Sequence, residues 1–150
     1  SLFEWLGGEA PLRNTLRHFY ARVVDDAVLG PVFAQMSPRH AEHVAHFIGE
    51  VLGGPTRYSA EHGGHAEMIR RHLGRALTNE QRTRWLQLLL ESADACGLPD
   101  DPEFRSALVA YLEWGSRLAV INSRLDRPPE VTEEPMPRWG WGEVKGPYLK

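Results

Sequence analysis

Apolar residues recur at steps of three and four along four separate segments of this 150-residue chain, and glycine or proline interrupts the pattern between segments. Such spacing places apolar side chains on one face of a helix, whereas a half-buried strand requires strict alternation. The pattern therefore predicts a small all-α domain. The first helix follows Gly7-Gly8 and has Pro11 near its start. Its apolar stripe consists of Leu12, Leu16, Phe19, Tyr20 and Val23.

The other three stripes are preceded by recognisable start signals. Ser-Pro at 37–38 predicts a helix with a capping serine and proline at its first position. Thr78 with Gln81 fits a capping box, and Asp-Pro at 101–102 predicts the start of the last long helix. The three stripes are His40, Val44, Phe47, Ile48 and Val51; Trp85, Leu86, Leu88, Leu89 and Ala93; and Phe104, Leu108, Tyr111, Leu112 and Leu118.

Two segments lack an apolar stripe. Residues 53–66 are polar and contain glycine, which predicts a long loop followed by at most a short helix at 66–71. Long loops in compact domains are usually functional or disordered, so a bound group could take the place of a helix there. Residues 124–150 contain five prolines and two tryptophans. We therefore expect a helical domain at 1–123 and a Pro/Trp-rich extension at 124–150 that is extended or orders on contact.

Composition restricts the partners and the location. The net charge of −3 gives no reason to expect nucleic acid or an anionic membrane. No apolar run reaches the roughly 18 residues of a membrane span, and the amino terminus lacks a signal-peptide pattern. Cys96, the single cysteine, excludes an intrachain disulfide and suits a reducing compartment, so we expect a cytoplasmic protein.

The histidines in the middle of the chain raise the question of a metal site. His40, His43 and His46 follow one another at steps of three, and His62 and His65 lie in the predicted loop. Neighbours three apart on a helix could share a metal, but residues six apart differ by about 240° around the axis, so all three cannot converge. A helical zinc protein is one interpretation. The more ordinary one is that His43, His46, His62 and His65 are solvated on a polar face.

Common catalytic motifs are missing from the sequence. No Walker loop, dinucleotide fingerprint, nucleophile elbow or HExxH motif occurs. The carboxylate pairs at 25–26 and 100–101 fall at helix ends, where capping accounts for them. Hydrolase and nucleotide-binding functions therefore have little support.

A second candidate site combines three residues that lie far apart in the sequence. His72 lies between Arg71 and Leu73, and such a lone histidine is more often structural than a ligand. Tyr20 and Trp85, however, fall on the apolar stripes of their helices, where a hydroxyl and an indole N–H need hydrogen-bond partners. A polar diatomic ligand on a metal would supply one.

Several segments together resemble the truncated haemoglobins, and within them the second group, the two-over-two α-helical globins of bacteria and plants. They occur in the family's order over residues 3–122. Trp85, which follows His72 on the next helix, favours the second group over the first. The segments are FEWLGG, FYARVVDDAVLGPVF, EVLGGP followed by YS, MIRRH, and RW.

The resemblance implies haem b as cofactor and His72 as the proximal iron ligand, with its other ring N–H bound by a backbone carbonyl. It places Tyr20, His40 and Trp85 on the distal side as hydrogen-bond donors to a bound ligand. The implied haem contacts are Phe33 packed on the porphyrin, Val44 above the iron, Arg71 and Tyr58 at the propionates, and Phe47, Met68, Leu77 and Leu89 as apolar walls.

Two positions depart from the family pattern. Phe33 stands where many second-group members carry tyrosine, so one distal donor is absent. His40 occupies a position that is often filled by a small residue. The sequence leaves three roles open for its imidazole: it restores the donor, gates ligand access, or binds the iron itself.

The expected function is reversible binding of O2, with CO and NO as further ligands. Redox turnover of NO or peroxide, supported by an unknown reductase, would use the same pocket, so enzymatic activity is undecided. The alternatives are a haem-based sensor or interaction module, in which the extension relays ligand state or forms a homodimer contact, and a helical metal-binding protein without haem.

Overall fold

The computed structural model describes residues 1–127 and 135–147, and these contain helices but no strand, so the all-α prediction is confirmed. The helices are α1 (Leu2–Trp5), α2 (Glu9–Val23), α3 (His40–Val51), α4 (Arg57–His62), α5 (Gly64–His72), α6 (Asn79–Ala95) and α7 (Pro102–Ser123), followed by a short 3-10 helix at Gly142–Val144.

The four long helices form two packed pairs. Helix α2 packs against α3 and α6 packs against α7, while contact between α2 and α6 joins the pairs. The buried side chains of these pairs, such as Leu16, Phe19, Val51, Leu88 and Phe104, form one continuous core. Helix α5 rests on α7, and α4 connects α5 to α3. In the described part of the chain, no helix combines the length and apolar character that membrane crossing requires.

Two of the predicted helix starts are confirmed by their hydrogen bonds. The Thr78 hydroxyl accepts a hydrogen bond from the Gln81 amide, and the Gln81 side chain accepts one from the Thr78 amide. The Asp101 carboxylate accepts from the Phe104 amide, and Pro102 occupies the first turn of α7.

The predicted start of α3 is wrong by a few residues. The helix begins at His40 after Arg39 as its cap. Ser37 does not cap it, because the Ser37 hydroxyl accepts from the Arg39 amide and the Ser37 carbonyl accepts from the His40 amide. These bonds close a turn that precedes the helix.

The predicted loop at 53–66 is also wrong, because α4 and most of the first turn of α5 occupy it. The sequence of α4 has no apolar stripe, and tertiary contacts stabilise this helix instead. The buried Glu50 carboxylate accepts from both the amide and the hydroxyl of Ser59, and Tyr58 is 2% exposed. Gly63 and Gly64 have φ of +89° and +69°, which allows the sharp change of direction between α4 and α5.

Residues 135–141 of the extension lie against the helical domain. The Trp139 amide donates to the Val51 carbonyl over 2.8 Å, and the Trp139 ring contacts Tyr111 and Trp114 at centroid distances of 5.6 and 5.7 Å. The Trp141 ring meets Trp5 edge-on at 6.0 Å. Residues 128–134 and 148–150 of the predicted extension lie outside the described residues.

Candidate functional site

A cavity of about 720 Å³ opens between α3, α5, α6 and α7, within the range of roughly 300–1,000 Å³ typical of ligand and cofactor sites. Apolar side chains dominate its lining. Eleven of the twelve residues predicted for the site surround it: Tyr20, Phe33, His40, Val44, Phe47, Tyr58, Met68, Arg71, His72, Leu77 and Trp85.

Leu89 departs from the prediction. It is 5% exposed and belongs to the core, but it does not line the cavity. Leu89 follows Trp85 by four residues, which is about 6 Å further along the axis of α6. At the position of Leu89, α6 packs against neighbouring helices and does not face the cavity.

His72 is the last residue of α5, and its ring orientation is set by the backbone. Its Nδ1 lies 2.7 Å from the carbonyl oxygen of Met68. Only a ring nitrogen that carries hydrogen can bind a carbonyl oxygen, so Nδ1 donates and Nε2 keeps its lone pair. Burial lowers the pKa of His72, against the opposing effect of the Met68 hydrogen bond. The imidazole is therefore neutral near pH 7 and has a free basic nitrogen.

The segment after His72 is tied to the end of α7. The amides of Gly74 and Ala76 donate to the carbonyls of Leu125 and Ser123, each over 2.9 Å. The Leu77 amide donates to the Ser123 hydroxyl over 2.9 Å. These bonds fix the chain that leaves α5 and thereby support the position of His72.

Tyr20, Phe33 and His40 form an aromatic cluster at the cavity. The Tyr20 ring meets Phe33 and His40 edge-on at centroid distances of 5.6 and 4.7 Å, and Phe33 and His40 are 5.8 Å apart. Burial raises the pKa of Tyr20 well above its ordinary value, although a hydrogen bond with Trp85 opposes the shift. The Tyr20 hydroxyl thus stays protonated and can donate a hydrogen bond.

His40 is also neutral near pH 7. Burial lowers the pKa of His40 to about 4, and the positive charges of His43, Arg71 and Arg75 contribute to the shift. A neutral imidazole offers one N–H donor and one lone pair. His40 thus has the groups needed both for a hydrogen-bond donor and for a metal ligand.

The edge of the cavity carries a polar group without a partner. The Tyr58 hydroxyl is buried and has no hydrogen-bond partner among residues 1–127 and 135–147. Burial raises the pKa of Tyr58, and the nearby Arg71 opposes that shift. The Arg71 side chain is half exposed and pairs with Glu67 over 3.1 Å. Such an edge suits a carboxylate group of a ligand, because buried hydroxyls normally have a partner.

Part of the cavity lining is not predicted by the sequence motifs. Arg75 adds a second cation four residues after Arg71, a spacing that could have indicated it. The face contributed by α7 depends on how the helix is rotated in the packed structure, which a stripe alone does not determine. The missed residues include Ile69, Arg75, Tyr111, Trp114, Leu118 and Pro137.

The predicted solvation of the other histidines is wrong for two of them. His46 is 4% exposed and His65 is 7% exposed. Helix α4 packs on α3 and covers His46, and His65 is buried on α5; the sequence pattern indicates neither packing contact. His43 and His62 are partly buried.

Two helix pairs around a cavity with one backbone-oriented histidine define a small globin of the two-over-two class. The sequence profile of the bacterial-like globins matches residues 1–114, and the chain belongs to this family. The group 2 truncated haemoglobin YjbI of Bacillus subtilis (strain 168) is 34% identical over 113 residues, which cover 75% of this chain and 83% of that protein.

Solved structures give the same assignment. A truncated oxygen-avid haemoglobin from Bacillus subtilis is 32% identical, with a TM-score of 0.71 over 80% of this chain and 98% of that one. The group II truncated haemoglobin of Bacillus anthracis is 26% identical, with a TM-score of 0.72 over 87% and 95% of the two chains. The predicted second-group truncated haemoglobin is confirmed, and membership in the globin family implies a haem cofactor.

The residues of the cavity fit that cofactor. The cavity has the size and the apolar lining for a macrocycle, and His72 offers an unprotonated Nε2 on its surface. The Tyr58 hydroxyl, which has no partner in the described part of the chain and lies near Arg71, matches the carboxylates of haem propionates.

Proposed function

We propose that the chain binds haem b in this cavity and uses it to bind O2 reversibly, with CO and NO as further ligands. The observation that carries the proposal is the hydrogen bond from His72 Nδ1 to the Met68 carbonyl, because it leaves Nε2 free for iron. Haem iron held by one histidine supplies the reversible binding of diatomic ligands.

On the distal side, Tyr20 and Trp85 act as hydrogen-bond donors. Each neutral donor contributes on the order of 1 kcal/mol net to holding a polar ligand. His40 is a third donor in this proposal, and it compensates for the missing hydroxyl at Phe33. His40 has two alternative roles, control of ligand access and direct binding of iron. Absorption spectra distinguish between these roles.

The remaining side chains hold the macrocycle. Arg71 and Tyr58 bind the propionates, the arginine through charge-assisted hydrogen bonds. Phe33 packs on the porphyrin, and Val44 limits the space above the iron. The walls are Phe47, Met68 and Leu77.

Several donors around one ligand slow its release, which favours redox chemistry over delivery. We therefore add turnover of NO or peroxide to the proposed function, with an electron-supplying reductase as partner. The alternative is a haem-based sensor, and its supporting observation is that Pro137 of the extension lines the cavity. The division into a globin domain at 1–123 and an extension at 124–150, a homodimer contact and a cytoplasmic location are part of the same proposal.

Absorption spectroscopy tests the function. Purified protein loaded with haem is reduced, exposed to O2, and returned to vacuum, and the CO complex is recorded separately. We expect a Soret band that shifts with each ligand and returns when O2 is removed. A chain that takes up no haem, or whose reduced form oxidises without any reversible O2 spectrum, would contradict the proposal. Low-spin ferrous bands that vanish only in His40→Ala would assign His40 to the iron.

A further inference from the structure

A second group of nitrogen and oxygen ligands lies outside the haem pocket, between α3 and the end of α4. It consists of His46, Glu61 and His62, none of which lines the cavity. One potential ligand atom from each of the three residues lies within 4.8 Å of the other two. The consecutive helices α3 and α4 therefore bring three potential ligand groups close together.

The distance between the two imidazoles matches a shared metal ion. His46 Nδ1 lies 3.4 Å from His62 Nε2. Two nitrogens bound to one tetrahedral Zn²⁺, each about 2.0–2.1 Å from the ion, stand roughly 3.4 Å apart. A direct N–H hydrogen bond would favour a separation of about 2.9–3.0 Å. The Glu61 carboxylate lies 3.8 Å from His62 Nε2, so a small side-chain movement would complete a third ligand.

The surroundings of His46 are those of a metal ligand. Its side chain is 2% exposed, and its Nε2 has no hydrogen-bond partner in the described part of the chain. The nearest carboxylate oxygen belongs to Glu9, at 3.5 Å. When Nδ1 binds a cation, Nε2 carries the hydrogen and points at this carboxylate. A histidine ligand that donates its other N–H to a carboxylate is the usual arrangement around zinc.

Two carboxylates lie beside the two imidazoles. Arg57 binds Glu9 at 2.8 and 3.1 Å and contacts Glu61 at 3.4 Å, and Arg13 lies 3.5 Å from Glu9. The guanidiniums of Arg13 and Arg57 balance the carboxylates of Glu9 and Glu61, so these four side chains carry no net charge. Arg57 also orients Glu9, which strengthens the second layer around the site.

We propose that His46, His62 and Glu61 bind Zn²⁺, with water at the fourth position. The bound ion would link α4 to α3. Because α3 carries His40 and Val44 and α4 carries Tyr58, the ion would fix two walls of the haem pocket relative to each other.

Equilibrium dialysis of the CO-bound holoprotein against Zn²⁺, with elemental analysis, tests the site without relying on ligand turnover. The protein carries no affinity tag, and haem and CO occupy His72 and the cavity. We expect one Zn²⁺ per chain, at least tenfold weaker binding in His62→Ala, and a smaller loss in Glu61→Gln. His18→Ala, which removes an exposed histidine elsewhere, is the matched control and should bind as the wild type does.

Other results would overturn the proposal. These are less than one bound Zn²⁺ at saturation, or wild-type affinity in His62→Ala. A Soret spectrum recorded on each variant confirms that it is folded. If the chain takes up no haem at all, the same dialysis on the apoprotein still compares His62→Ala with His18→Ala, so failure of the haem proposal is seen separately.

Discussion

His72 Nδ1 lies 2.7 Å from the carbonyl oxygen of Met68, one helical turn earlier on α5. This contact decides which ring nitrogen is free. The segment that follows His72 is bound separately to Ser123 and Leu125 at the end of α7. The fold of the chain thus sets the orientation of the proposed proximal ligand.

The distal donors should control the rate of O2 release. Tyr20→Phe and Trp85→Phe each remove one hydrogen bond of about 1 kcal/mol, so we expect the O2 dissociation rate to rise about fivefold in each variant. Stopped-flow displacement of O2 by CO measures it. Trp5→Phe, which removes an indole far from the cavity, should leave the rate unchanged. Equal rates in all four proteins would remove Tyr20 and Trp85 from the site.

His40 should make the protein less stable in mild acid. Its folded pKa of about 4 lies below its ordinary value of 6.5. Between these two pH values the unfolded chain binds more protons than the folded one, so the free energy of unfolding falls as the pH falls. The side chain is partly exposed, and we expect a discounted effect of about 1 kcal/mol between pH 7 and pH 5.

Urea unfolding at the two pH values measures this effect. In His40→Leu the loss of stability between pH 7 and pH 5 should be smaller than in the wild type by that amount. His18→Leu is the control and should behave as the wild type. An unchanged pH dependence in His40→Leu would show that the imidazole is already charged in the folded protein.

Tyr58 should matter more to the holoprotein than to the apoprotein. Its hydroxyl is buried without a partner in the described chain, so Tyr58→Phe should leave the apoprotein equally or more stable. If the hydroxyl binds a haem propionate, the same change should speed haem loss several-fold. Haem transfer to an excess of an apoglobin acceptor measures the rate. Faster unfolding of the apoprotein with unchanged haem loss would contradict the assignment.

Trp139 should anchor the extension to the helical domain. Its ring contacts Tyr111 and Trp114, and aromatic pairs of this kind are worth about 0.5–1.5 kcal/mol each. We expect Trp139→Ala to lower the free energy of unfolding by about 1–3 kcal/mol, measured by urea denaturation. Arg138→Ala, at an exposed neighbour, should have no effect. A stability loss no larger than that of Arg138→Ala would mean that the extension does not pack in solution.

The elements that could be predicted are those whose signal is local. The capping box of Thr78 and Gln81 and the apolar stripes of α2, α6 and α7 act within one helix, and the structure has them. Helix α4 could not be predicted, because the bonds from Ser59 to Glu50 and the burial of Tyr58 come from contact with α3.

The candidate site likewise contains residues that could be predicted from the sequence and residues that could not. Eleven of its predicted residues line the cavity; the sequence itself pointed to Tyr20, His72 and Trp85, and the family resemblance implied the other eight. Arg75, Pro137 and the face of α7 depend on how helices and extension pack, which no single motif encodes. The burial of His46 depends in the same way on the cover provided by α4.

The most direct test of the account is the absorption spectrum of the ferrous CO complex of His72→Gly, recorded with and without added imidazole, beside the wild type. We predict that the variant loses most of its haem or shows an altered Soret band, and that free imidazole restores the wild-type spectrum by occupying the vacated space. A variant whose spectrum and haem content equal those of the wild type without imidazole would show that His72 does not hold the iron.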